Sequence, residues 1–115
     1  MNKDTITIID NLLKIEKINE AELALSKLGS EFFKDADYLY LRSKIFLINK
    51  LYYLALDTLL VATEFAQNEK IYDLIAEIYD ILGNKELSKK ISNEDLRLEA
   101  ISSLKKELTG ILQKK

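Results

Sequence analysis

The stretch Tyr72-Asp73-Leu74-Ile75-Ala76-Glu77-Ile78-Tyr79-Asp80-Ile81-Leu82-Gly83-Asn84-Lys85-Glu86-Leu87-Ser88 decides the fold. Tyr72, Ile75, Ala76, Tyr79 and Leu82 recur at three- and four-residue steps, the period of one helix face rather than the alternation of a strand. Gly83 then offers a left-handed stop and a tight turn. Ala76 is small enough for a second helix to come close, with Ile75 and Tyr79 filling the space beside it. Ser88 allows a second close contact from the far side. This is the pattern of an antiparallel helix hairpin.

Working outward, the pattern recurs more loosely thirty-three residues earlier, in Leu39, Ser43, Phe46, Ala55, Leu59 and Ala62. Arg42 stands there in an aliphatic place, and the turn at Ile48-Asn49-Lys50 lacks a glycine. A degenerate first unit runs from Ile8 through Ile15 to Ala24 and Leu28, with Asn11 and Leu12 in the aliphatic and small places. The spacing predicts helices at about 5–17, 20–28, 36–49, 51–67, 69–82 and 85–91, and a last one reaching about 113. Their apolar sets include Ile8, Ile9, Leu12, Leu13 and Ile15 in the first, and Leu23, Ala24 and Leu28 in the second. Asn19, Asp35 and Asn68 are expected caps, Ser92 and Asp95 resemble a capping box, and Gly29 is expected to stop the second helix in the left-handed region. Leu (21 residues) and Ile (14) supply the apolar bulk and Val occurs once, which disfavours a sheet. The expected fold is all-α, built from stacked antiparallel hairpins.

The Tyr72–Ser88 motif resembles a tetratricopeptide (TPR) repeat. The resemblance covers residues 5–91, with 92–115 as a capping helix of a single domain spanning 1–115. It implies a right-handed superhelix whose first helices line a concave groove for a peptide or helix of another protein. Transferred groove positions are Tyr40, Lys44 and Leu47 in the second unit and Asp73, Glu77 and Asp80 in the third. The three acids fall on one helix face, and are read either as a wall selecting a basic or amphipathic ligand or as a solvated surface. Nothing matches the carboxylate clamp of chaperone-binding TPR domains. Length and helix order also look like the small TPR-like chaperones that hold needle subunits of type III secretion systems.

Two further segments stand out. Ten of the twelve residues 51–62 are apolar, more than one buried face requires. That helix is either central or offers an apolar strip, with Tyr52 and Tyr53 as interface residues. The last helix carries Ile101, Leu104, Leu108 and Ile111 as a two-heptad seam, read as a cap on the array or as a homodimer contact.

Composition limits the chemistry. The 115-residue chain has no Cys, His or Pro and a net charge of −2. Thiolate or imidazole catalysis and metal ligation are thereby removed, no Gly-rich phosphate loop is present, and no cofactor is expected. Basic residues are scattered among acids, so no nucleic-acid footprint is seen. Asp10 and Asn11 interrupt the N-terminal apolar run, and no segment has the length of a membrane span, so a cytoplasmic location is expected. The expected function is that of a protein-binding adaptor or chaperone without enzymatic activity. The alternative is an oligomerisation module associating through the last helix.

Overall fold

A computed structural model describes the backbone of residues 1–113 and the side chains up to Glu107. Among the described residues there are seven α-helices and no strand: α1 (Lys3–Lys14), α2 (Ile18–Ser26), α3 (Ala36–Ile48), α4 (Tyr52–Ala62), α5 (Glu69–Ile81), α6 (Lys85–Ser92) and α7 (Arg97–Gln113). A short 3-10 turn, Ser30–Phe32, precedes α3. The chain divides into two compact units, Met1–Gln67 and Asn68–Lys115.

The first unit holds two hairpins, α1/α2 and α3/α4, and α3 packs on both helices of the first. Ile9, Leu13, Ala21, Leu25, Tyr38, Leu41 and Ile45 form one buried cluster. Ala55, Leu56, Leu59, Leu60 and Ala62 give α4 its buried face. In the second unit α5 and α6 form the third hairpin and α7 packs on α6. Its buried side chains include Tyr72, Ile75, Ala76, Ile78, Ile91 and Ile101. The Ser88 hydroxyl donates to the Ala76 carbonyl at 2.8 Å, so α6 reaches the backbone of α5 at the two small residues.

The three hairpins share their terminal chemistry. Asn2, Asp35 and Asn68, each 33 residues after the last, cap α1, α3 and α5 through their side chains. Each of these helices ends in a Schellman turn. Lys17 N–H donates to the Leu12 carbonyl (2.8 Å), Leu51 N–H to Phe46 (2.9 Å) and Asn84 N–H to Tyr79 (2.9 Å). The left-handed residue is Glu16 (φ 63°), Lys50 (φ 62°) or Gly83 (φ 86°). Only the last is the glycine that such a position favours.

Several sequence-based expectations need correction. Ile9 and Asp10 stand at the same distance from the Asn2 cap as Ile75 and Ala76 from the Asn68 cap. Ile8 and Ile15 are 60% and 62% exposed, and Leu23 is 57% exposed, while Ala21 and Leu25 are buried. Asn19 is inside α2, which starts after Lys17 with no side-chain cap. Gly29 has φ −74°, because α2 has already ended and the chain passes into the 3-10 turn in extended conformation. Helix α4 stops at Ala62, short of residue 67. Ser92 closes α6 instead of opening α7, and Asn93 accepts the Asp95 N–H at 2.8 Å in its stead.

Candidate functional site

The residues transferred from the repeat pattern fall in different units. In the first, Tyr40, Lys44 and Leu47 are half-buried on α3. Tyr40 packs against the buried cluster. Lys44 Nζ lies 2.8 Å from Asp10 Oδ1 on α1 and 4.9 Å from the centre of the Tyr40 ring. Asp10 is also 3.4 Å from Lys14. Burial pushes the Asp10 carboxyl up, but the hydrogen bonds and charges of Lys44 and Lys14 outweigh it and leave the pKa below its ordinary value. Burial pushes Lys44 down, and its interactions with Asp10 and Tyr40 together more than restore it. The Lys44 charge is thus engaged in holding α1 to α3.

In the second unit Asp73 and Glu77 are exposed on α5. Asp80 at the end of the same stripe is paired with Lys85 at 2.6 Å across the hairpin turn.

Helix α4 buries one face and exposes an apolar strip. Tyr53 is 71% exposed and Leu54 and Val61 are also exposed, as is Phe65 just beyond the helix, whereas Tyr52 is half-buried. Asp57 lies within this strip, and partial burial raises its pKa. On α7, Ile101 is buried and Leu104 half-buried. The remainder of the expected seam, Leu108 and Ile111, lies outside the described side chains.

The feature that the sequence reading missed is a cleft of about 590 Å³ in the second unit. Tyr79, Leu87, Leu96, Ala100 and Leu104 give it apolar lining. Asn84, Lys90, Glu99, Ser103 and Glu107 add polar groups. Its volume lies in the usual range of ligand sites. Ala100 and Ser103 keep the α7 wall low where larger side chains would fill the space. That small pair is the signal in the sequence, but it lies beside the Ile101/Leu104 seam, which draws the eye.

Arg97 fixes the start of the α7 wall and was also missed. Its side chain is 7% exposed. Nη1 donates to Glu69 Oε1 at 2.7 Å, Nη2 to the Ser92 carbonyl at 3.2 Å, and the guanidinium lies 4.7 Å from the Tyr72 ring centre. Nε is buried without a partner among the described residues. One long side chain therefore ties the first turn of α7 to the first turn of α5 and to the end of α6.

Among the described residues no group of three potential metal-ligating side chains comes together. Among them, too, no helix is long and apolar enough to cross a membrane. Comparison of the chain with protein-family models, curated proteins and solved structures finds no match.

Proposed function

We propose that this chain is a protein-binding module of TPR-like type, an adaptor or chaperone that holds a peptide or helix of a partner protein without catalysing a reaction. Support for the repeat comes from the three hairpins, whose caps stand 33 residues apart and whose helices end in the same hydrogen-bonded turn. The observation that carries the functional reading is the cleft of the second unit. It joins apolar lining to polar groups, the composition expected where apolar contact supplies affinity and polar contact supplies orientation.

The test is selection of binding peptides from a displayed random library on the purified chain. Selected peptides should lose binding to Ser103→Trp, which fills the cleft from an exposed position. They should keep binding to Tyr53→Ala/Leu54→Ala. The opposite pattern would move the site to the apolar strip of α4, a second reading favoured by the exposure of Tyr53. Binders indifferent to both variants would refute both surfaces.

A further inference from the structure

The cleft of the second unit has a charge pattern that specifies its occupant. Glu99, Ser103 and Glu107 follow one another at four-residue steps, so they form a single line along α7. The two carboxylates stand about 12 Å apart along the axis, from eight residues at about 1.5 Å each. Neither has an ion-pair partner among the described residues, whereas three acids of the α5/α6 hairpin do. Asp80 is paired with Lys85, Glu86 with Lys90 at 3.4 Å and Glu69 with Arg97. Among the described residues that line the cleft Lys90 is the one cation, and it is paired with Glu86. The charged lining of the cleft is thus two carboxylates and one paired ammonium, beside apolar lining from Leu87, Leu96 and Leu104. Between the carboxylates the small side chains of Ala100 and Ser103 leave room for an anchor.

We propose that the occupant of this cleft is a cationic amphipathic helix. Its aliphatic face would seat over Ala100 and Ser103, and two Lys or Arg residues about two turns apart would meet Glu99 and Glu107. The inference rests on the protein-binding reading above and names the partner chemistry of the same site. A volume of about 590 Å³ admits the side chains of one helix face and not a helix, so the partner backbone lies along the mouth. The carboxylates set orientation and choice of partner, since complementary charge acts mainly on specificity and association rate.

The experiment uses two synthetic 18-residue amphipathic helices with the same leucine face. One carries lysine pairs seven residues apart on the flanks of that face, and the other has every lysine replaced by glutamate. Both are titrated by fluorescence anisotropy against the full chain and against Glu99→Gln/Glu107→Gln and Ser103→Trp, with helix content checked by circular dichroism. The cationic peptide should bind the parent at least tenfold more tightly than the acidic one. It should lose about tenfold on Glu99→Gln/Glu107→Gln, and the difference should shrink at high salt. Ser103→Trp should abolish binding. Equal binding of the two peptides, with loss on Ser103→Trp, would overturn the charge assignment and leave the cleft as a binding site. Binding that survives Ser103→Trp would place the site elsewhere and overturn both readings. Absence of cationic-peptide binding to the parent would overturn the proposed occupant.

Discussion

Arg97 is the polar side chain of the second unit with the most contacts to lose, since it meets Glu69, Tyr72 and the Ser92 carbonyl. Arg97→Ala deletes a charged hydrogen bond to Glu69, in general about 1.5–3 kcal/mol, and a hydrogen bond to the Ser92 carbonyl, about 1 kcal/mol. It also removes a largely desolvated cation–π contact with Tyr72, about 1–2 kcal/mol. Against these stands relief of the partnerless Nε, a buried donor of the kind that costs about 1–3 kcal/mol. The balance is a loss of about 2–4 kcal/mol. Glu69 is 64% exposed, so the pair is asymmetric. Glu69→Gln should cost less than about 1 kcal/mol, because water screens and replaces the carboxylate. Arg97→Met should fall between, since the stem still packs. Urea denaturation followed by far-UV circular dichroism measures all three. A cost below about 0.5 kcal/mol for Arg97→Ala, within the range of ordinary surface substitutions, would refute the reasoning. So would equal costs for Arg97→Ala and Glu69→Gln. In either case Arg97 would not hold α7 in place.

Further outcomes follow from the hairpins and their ion pairs. Ala76→Leu should destabilise by about 1–3 kcal/mol in the same assay, because its site is buried and α6 reaches its carbonyl through Ser88. A neutral result would deny the close helix approach. Lys50→Gly should stabilise by about 0.5–1 kcal/mol, since Lys50 holds a left-handed conformation that costs a side chain about 1–2 kcal/mol. A lower denaturation midpoint would contradict this. Asp10 has a lowered pKa, so its contribution is present above the ordinary carboxylate value of 3.8 and is lost as pH falls through the lowered one. Stability measured against pH should show an acid limb that Asp10→Asn flattens, and an unchanged limb would remove the Asp10–Lys44 pair from the account. Lys44 has a raised pKa, so its share persists below the ordinary value of 10.5 and is lost only as pH rises through the raised one.

The helices themselves were legible in the residues. Three- and four-residue apolar spacing, Asp35 and Asn68 as caps and Gly83 as a stop are local features, each acting over one turn of chain, and the structure places all of them where local chemistry requires. The Ala76–Ser88 contact was legible for a related reason, because a short turn leaves two adjacent helices only one way to meet. The first hairpin shows where local reading ends. Ile8, Ile9, Leu12, Leu13 and Ile15 cover more than one face of α1, and periodicity alone could not choose Ile9 and Leu13 over Ile8 and Ile15. Packing against α2 and α3 made that choice. Gly29 and Lys50 show the same division: composition suggests glycine for a left-handed turn, yet helix length and the following connection decide which residue must adopt it. The fate of charge was decided by tertiary structure alone. No local feature pairs Lys44 with Asp10, 34 positions away, yet the fold brings them within 2.8 Å, and no local feature of Arg97 announces that Glu69, Tyr72 and the Ser92 carbonyl will close around it. The cleft is of the same kind, since an empty volume between helices depends on the distance between their axes, and no single stretch of sequence contains that distance.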